Sequence, residues 1–95
     1  MSTVTLQEFE SQARAKGFDE IVERHWPPQS VLETHTHPFD VLLQVVSGEM
    51  WLRFGSETHH LGVGDSIEFD RLVPHAERYG DEGATYWVAR RNRER

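Results

Sequence analysis

The first part of the chain has apolar residues at helical spacing. The residues that recur every three or four positions are Leu6, Phe9 and Ala13. Residues 5–8 read Thr-Leu-Gln-Glu, the pattern of an N-terminal capping box, and Gly17 supplies a C-terminal stop. These signals predict one short amphipathic helix over about residues 5–17. Its apolar stripe packs either against the rest of the domain or against a partner subunit.

From residue 18 onward the apolar residues alternate with polar ones or form short runs separated by Gly, Pro and Asp. Such runs are typical of β-strands. We expect eight strands, at residues 21–26, 30–36, 41–47, 50–54, 58–61, 66–69, 75–79 and 85–90. Short strands joined by glycine turns predict an all-β barrel or sandwich over about residues 18–90. A basic tail over residues 91–95 follows it.

The length of the chain limits it to one domain. Ninety-five residues suffice for a single domain over residues 1–95 and are too few for two. A domain this small leaves much of its surface exposed when it folds, so a second copy of the chain would stabilise it. We therefore expect a homodimer.

The charge of the chain argues against nucleic acid as a partner. The net charge is -6, whereas a nucleic-acid surface needs clustered Lys and Arg to replace the counterions of the phosphates. Basic residues cluster only at the C-terminus, at Arg90, Arg91, Arg93 and Arg95. We interpret this run as a solvated tail.

Other features of the sequence limit the possible chemistry and the cellular location of the protein. The chain contains no cysteine, which excludes disulfides and thiolate chemistry. Its N-terminus has no apolar stretch typical of a signal peptide, and no apolar run approaches the roughly 20 residues of a membrane helix. We expect a cytoplasmic protein without a membrane partner.

The candidate chemistry lies in three histidines. His35 and His37 are separated by one residue, and side chains two positions apart on a strand project to the same face. His75 follows Pro74 at the start of a later predicted strand. Three imidazoles brought together would form a facial set with open coordination positions, which suits zinc, copper, iron or nickel.

The order of residues around the first two histidines resembles the first motif of the cupin superfamily. In that motif a glycine is followed after five residues by His-x-His, then after three or four residues by a glutamate, and after six more by a glycine. His35, His37 and Gly48 match this pattern. The two departures are Gln29 at the first glycine position and Val41 at the glutamate position.

The third histidine lies in a sequence similar to the second cupin motif. That motif places a glycine five residues before Pro-x-Gly, a histidine two residues later, and an asparagine three residues beyond it. Gly64, Asp65 and the Pro74-His75 ending match. The departures are Asp70, Leu72 and Tyr79 in place of the proline, glycine and asparagine. Residues 49–63 separate the two motifs.

The resemblance implies a cupin jelly-roll barrel with a short N-terminal helix. It also implies one divalent transition metal (Fe, Mn, Ni, Zn or Cu) held by His35, His37 and His75. Valine at position 41 cannot coordinate a metal, so three neutral imidazoles would leave the full charge of the dication in place. Such a site should favour an anionic or chelating substrate. Cupins similar in using three histidines include thiol and diketone dioxygenases.

Two further residues are weaker candidates for the pocket. Gln44 lies three positions beyond Val41, so on an unbroken strand it faces the other side, and only a bulge would turn it inward. Glu77 shares the parity of His75 and is either a weak ligand or general base in the same cavity, or a solvated or salt-bridged residue.

Three classes of function are compatible with this sequence. The first is a metal-dependent enzyme, with dioxygenase or isomerase-like chemistry on a small substrate. The second is a sensor-type module that binds a small molecule without turnover. The third is a degenerate cupin barrel without a functional metal. The fold alone does not decide among them, because function depends on the site.

Overall fold

The architecture is a β-barrel with one helix packed on its outside. The computed structural model describes residues 4–92, and it confirms the predicted all-β class with a short N-terminal helix. The elements are α1 (Leu6–Ala15), β1 (Glu20–Trp26), β2 (Val31–His35), β3 (Asp40–Phe54), β4 (Glu57–Leu61), β5 (Ser66–Phe69) and β6 (His75–Arg91). All strand pairs are antiparallel.

Two long strands connect the two layers of the barrel. The first half of β3 and the second half of β6 pair with each other and with β5 and β1. The second half of β3 and the first half of β6 pair with each other and with β4 and β2. The eight predicted strands are therefore six, because β3 and β6 each continue through a segment predicted as a turn. Register shifts near Ser47 and Gly48 show that bulges bend the strands there without ending them.

The main core fills the space between the layers. Inward-facing residues alternate along the strands, as Val41, Leu43 and Val45 do on β3. Across the core lie the inward residues of the other layer, such as Met50 and Leu52. This enclosed face is the one on which the predicted histidines must meet if they share a site.

Helix α1 covers the outer face of one layer. Thr5 and Glu8 form the predicted capping box, with the Glu8 backbone N–H donating to Thr5 Oγ1 at 3.1 Å. Phe9 and Ala13 are buried in a second cluster around Trp87. Phe9 and Ala13 of the apolar stripe thus pack on the chain's own sheet, whereas Leu6 is 46% exposed. The homodimer expected from the length of the chain stays a prediction.

A buried ion-pair cluster closes the end of β3. Asp40 is buried and accepts hydrogen bonds from the backbone N–H of Arg71 at 2.7 Å and from Nη1 of Arg91 at 2.9 Å. Burial by itself would raise the pKa of Asp40, but the hydrogen bonds from Arg71 and Arg91 outweigh it and lower the pKa to about 2. The cluster corrects the prediction of a solvated tail, since β6 includes Arg90 and Arg91. The predicted tail residues Arg93 and Arg95 lie outside the described residues.

We expect Asp40→Asn to lower the free energy of unfolding by about 3 kcal/mol at pH 7, because two partly buried arginines lose their anion. A carboxyl whose pKa is lowered on folding contributes stability above its unfolded pKa and loses that contribution as the pH falls through its folded pKa. The difference between wild type and variant should therefore shrink as the pH falls from about 4 to about 2. Urea denaturation at pH 7 and pH 3 measures it. A gap of equal size at both pH values would contradict this account.

Candidate metal centre

The three predicted histidines meet at one end of the barrel interior. His35 is the last residue of β2 and is paired in register with His75, the first residue of β6. His37 lies two residues beyond the end of β2. The ring centroids of His35 and His75 are 4.3 Å apart, and His37 lies 4.9 Å from the first and 5.1 Å from the second. The antiparallel pairing of β2 with β6 brings these distant positions together.

Glu77 completes the cluster. It lies two residues after His75 on β6, so both side chains point into the barrel. Glu77 Oε2 is 3.2 Å from His35 Nε2 and 3.6 Å from His75 Nε2, and Glu77 is 8% exposed. One donor atom from each of the four residues lies within 4.8 Å of the others. The Glu77 carboxylate thus lies in the cavity with the histidines, and its contacts with His35 and His75 are those of a metal ligand or of a salt-bridged residue.

Backbone carbonyls orient two of the imidazoles. His35 Nδ1 lies 2.7 Å from the carbonyl oxygen of Glu33, and His75 Nδ1 lies 3.0 Å from that of Val73. A carbonyl oxygen only accepts, so each Nδ1 carries a proton and donates it. When these rings are neutral, Nε2 of each histidine therefore has a lone pair, and this lone pair points toward the other possible metal ligands. Metal-binding histidines are commonly held in this way.

Two of the distances between these atoms are close to those in the coordination sphere of a divalent transition metal. Bonds of about 2.1 Å put adjacent ligand atoms about 3.0 Å apart in an octahedral site and about 3.4 Å apart in a tetrahedral one. The two distances from Glu77 Oε2 to the histidine nitrogens, 3.2 and 3.6 Å, are close to these values. Three imidazole nitrogens and one carboxylate oxygen are donors that such metals accept.

Burial in the cavity favours the neutral forms of His37 and His75. Burial lowers the pKa of His37 to about 4, with further contributions from His75, His35 and the arginines Arg90 and Arg24. Burial also lowers the pKa of His75, and this outweighs the effects of its hydrogen bond and of the nearby carboxylate. Neutral imidazole is the form that binds a metal.

A buried hydrogen-bond chain holds the other oxygen of Glu77. Tyr79 Oη donates to Glu77 Oε1. Tyr86 Oη lies 3.0 Å from Tyr79 Oη and accepts from Trp26 Nε1 at 2.9 Å. Since the Tyr79 proton is used on Glu77, the Tyr86 hydroxyl donates to Tyr79. The chain thus runs from the indole to the carboxylate and leaves Oε2 facing the histidines. No motif in the sequence indicated this network.

A pocket of about 270 Å³ opens above the cluster. Its walls are mostly apolar and are formed by Leu32, Phe39, Val41, Leu43, Leu52, Phe69 and Val88. Val41, which the sequence resemblance sets at the glutamate position of the first cupin motif, is part of this wall. Arg24 and Arg90 also line the pocket. The cavity therefore combines a metal-binding cluster, an apolar lining and two guanidinium groups.

Gln44, the other weak candidate, lies elsewhere. It is buried on the outward side of β3 and lines a separate small cavity with Trp87 and Gly64. The bulges of β3 begin only after Val45, so they do not turn Gln44 toward the histidines. Gln44 therefore lies outside the cluster, because β3 is unbroken up to Val45 and its side chain points outward, as the strand periodicity predicted.

Comparison with known proteins identifies the fold. The family model described as a cupin domain matches residues 22–89. No curated protein matches the sequence. Among solved structures, a protein of unknown function from Rhizobium leguminosarum bv. viciae 3841 is 23% identical, with a TM-score of 0.70 over 74% of this chain and 66% of that chain.

Two enzymes share the same fold. The DMSP lyase DddQ from Ruegeria pomeroyi DSS-3 is 25% identical, with a TM-score of 0.69 over 75% of this chain and 36% of the lyase. Oxalate decarboxylase from Bacillus subtilis, which has Mn(II) centres, is 21% identical, with a TM-score of 0.66 over 74% of this chain and 20% of the decarboxylase. The chain thus spans just under two thirds of the Rhizobium protein and about one third of the lyase. Within residues 4–92, no helix has the length and hydropathy needed to cross a membrane.

Proposed function

The chain belongs to the cupin domain family, and from this premise we propose that it binds one divalent transition metal and uses it on a small substrate in the barrel pocket. The protein ligands are His35, His37, His75 and Glu77. The observation that carries the proposal is the convergence of four possible metal ligands on one point of the barrel interior. Glu77 Oε2 lies 3.2 and 3.6 Å from Nε2 of His35 and His75, and in the neutral form of each ring this nitrogen has a lone pair because the proton is on Nδ1. A cation among them removes the repulsion between their lone pairs.

Glu77 takes the role that the glutamate of the first cupin motif would have. It supplies an anionic ligand from β6, whereas Val41 on β3 supplies none. The expectation from sequence of three neutral ligands and an uncompensated dication is replaced by a set that neutralises one of the two positive charges. Fe, Mn, Ni, Zn and Cu all accept imidazole nitrogen, and oxalate decarboxylase, which shares the fold, has Mn(II) centres.

With four protein ligands, a divalent ion held here would keep coordination positions open for a substrate. A metal held there supplies Lewis acidity or oxygen activation, as in dioxygenase or isomerase-like chemistry. The residues of the chain do the rest. The Tyr79 hydroxyl holds one oxygen of Glu77, so that the other faces the histidine nitrogens, where a metal would bind. The apolar wall, which includes Phe39 and Phe69, excludes water from the bound substrate.

The same pocket supports binding of a small molecule without turnover as a second candidate. Once the four ligands bind a metal, the described lining of the pocket contains no further carboxylate or histidine that could transfer a proton. The remaining hydroxyl, on Tyr86, is tied to Trp26 and Tyr79, and burial raises its pKa. Oxygen consumption and product analysis with Mn- and Fe-loaded protein, over a panel of thiols, diketones and small acids, separates the enzyme from a binding module.

Replacing Glu77 by glutamine tests the ligand set. Metal-free protein purified without a histidine tag is expected to bind one equivalent of Mn²⁺, Fe²⁺ or Zn²⁺ by calorimetry and elemental analysis. Glu77→Gln should weaken metal binding by about 100-fold or more, because it removes an anionic ligand. The loss of a residue that only hydrogen-bonds a ligand already weakens metal binding by about 10- to 100-fold. Glu57→Gln is the matched control. Glu57 Oε1 lies 2.6 Å from His59 Nε2, and neither residue belongs to the cluster.

Two outcomes would contradict the proposal in different ways. Equal affinities of wild type and Glu77→Gln would mean that the three histidines bind the metal without the carboxylate. Failure of the wild type to bind any of these metals would mean that a proton between His35 and Glu77 stabilises the cluster, as expected for a degenerate barrel.

A further inference from the structure

Two arginines from adjacent strands line the barrel pocket beside the histidine cluster. Arg24 lies on β1 and Arg90 on β6, and both point to the inner face of their layer. Arg24 is paired in register with Tyr86, four residues before Arg90 on β6. Both guanidinium groups act electrostatically on His37. The arginines are therefore part of the same cavity as the candidate metal centre.

Arg90 is held in place but has an unused donor. Its guanidinium lies over the ring of Phe39, with Cζ 4.7 Å from the centroid, and Phe39 in turn stacks on His37 at 4.8 Å. Nη1 of Arg90 is 3.5 Å from Glu20 Oε1. Among the described residues, Arg90 Nε is the single buried side-chain nitrogen or oxygen without a hydrogen-bond partner. A buried N–H without an acceptor is unfavourable, so the chain's own residues leave part of the hydrogen-bonding capacity of Arg90 unused.

Arg24 is also available to a ligand. It is exposed at the rim, and within residues 4–92 it makes no hydrogen bond or ion pair. An arginine presents five donors in a planar fork that matches a carboxylate. One of the two arginines at the pocket is held by stacking and the other is unengaged. This arrangement is more typical of a binding site for an acid than of a structural ion pair.

The charge of the cavity also favours an anion. The chain as a whole carries a net charge of -6. The pocket lining reverses this sign, because it contains two guanidinium groups and the single carboxylate of Glu77. A bound dication would make the pocket more positive still. A ligand with one or two negative charges would thus enter a favourable field in an otherwise acidic protein.

We infer that Arg24 and Arg90 bind the carboxylate of a small organic acid at the pocket mouth, with the other end of the acid directed to the histidine cluster. The position of that second end rests on the proposed function, whereas the binding of the carboxylate by the arginines does not. A volume of about 270 Å³ corresponds to about nine water molecules of roughly 30 Å³ each. This limits the acid to a few carbons beyond its carboxylate.

The test measures binding of acetate, malonate and succinate, with malonamide as the uncharged analogue of malonate. Binding to metal-free protein is followed by ¹H–¹⁵N NMR, including the arginine Nε–H signals. Binding to Mn²⁺- or Zn²⁺-loaded protein is measured by calorimetry. We expect at least one of the acids to shift the Arg90 Nε–H signal. Arg24→Gln and Arg90→Gln should each weaken its binding by about 10-fold, and the double variant by about 100-fold. Malonamide should bind weakly to every variant.

Controls separate recognition from folding. Arg53→Gln removes an exposed arginine from the outward face of β3 and should leave acid binding unchanged. Arg90→Lys keeps a charge near Glu20 and should still weaken binding, because it removes the planar fork. The thermal midpoint and the Mn²⁺ affinity of each variant confirm that fold and metal site are intact.

The outcomes distinguish this inference from the proposed function. Unchanged acid binding in the double variant, equal binding of malonamide and malonate, or no binding of any acid to wild-type protein would overturn the role of the arginines. Arginine-dependent acid binding in a protein that takes up no metal would overturn the proposed function alone and support the arginines as the anion site.

Discussion

Replacing His75 by alanine is expected to weaken binding of a divalent metal by about 1,000-fold. Structural zinc sites with four ligands bind with about 10–16 kcal/mol, so each ligand contributes about 3–4 kcal/mol, or about 100- to 1,000-fold. His75 should lie at the upper end of this range. It is 2% exposed, its Nδ1–H is held by the carbonyl of Val73, and its ring faces those of both His35 and His37.

The loss of His75 also affects the rest of the cluster. Its ring lies 4.7 Å from that of Phe69 and 6.1 Å from that of Phe54, so alanine leaves a cavity at the bottom of the pocket. The carboxylate of Glu77 loses one of its two histidine neighbours. The variant should therefore lose some stability as well, and its metal affinity is interpretable only beside a measured unfolding curve.

The measurement is a calorimetric titration of metal-free His75→Ala with Mn²⁺ and Zn²⁺, supported by elemental analysis. His60→Ala is the matched control, since His60 is bonded to Glu49 at 2.9 Å on the outside of the barrel. His35→Ala tests a second ligand with a partly exposed ring. If folded His75→Ala retained the affinity of wild type or of His60→Ala, the metal would not be bound at this cluster.

The two cupin-like motifs indicated that the three histidines would share a site, and the long-range pairing of β2 with β6 brings His35 and His75 together. Strand periodicity does not account for His37, because β2 ends at His35 and His37 lies two residues beyond it. Strand periodicity did assign Glu77 to the same face as His75. Its burial was not predictable, because parity does not say whether a carboxylate has partners, and its partner Tyr79 stood at a position where the family pattern has asparagine.

Features that depend on long-range register were missed. Tyr86 contacts Trp26, 60 positions away, because β6 pairs with β1. It contacts Tyr79, seven positions away, because β6 bends between them. Arg91 was assigned to a tail because a terminal run of charges resembles one, yet its pairing with Asp40 depends on β6 being 17 residues long. The length of β6 was underestimated because the glycine-rich segment at residues 80–83 resembles a turn. In the barrel, that segment forms the bend between layers.

The bend at Gly48 leads to the second large effect. Gly48 matched the last glycine of the first motif, and the structure gives a physical reason for a glycine there. Its φ is +75°, a backbone conformation that side chains disfavour. A Cβ built at this position would lie 2.1 Å from the carbonyl oxygen of Gly83 and 2.9 Å from Cα of Ala84. Both contacts are with the backbone of β6, which no rotation of a side chain can relieve.

Gly48→Ala is therefore expected to lower the free energy of unfolding by about 4 kcal/mol, from the unfavourable φ together with the forced separation of β3 from β6. For a domain of this size, that corresponds to a fall of about 15 °C or more in the thermal midpoint. Gly55→Ala isolates the contribution of the backbone conformation, since Gly55 also has a positive φ of 63° but a methyl group added to it would have no atom within 4 Å. It should cost only about 1 kcal/mol.

Thermal and urea unfolding of the two variants measure the difference between them, which is the cost of separating the backbones. A loss in Gly48→Ala no larger than that in Gly55→Ala would show that the two long strands can part at the bend without consequence. The bend also joins the layer that contains β1, with Arg24, to the layer that contains the histidines. If the strands separate there, Gly48→Ala should weaken acid and metal binding together, although it contacts neither group.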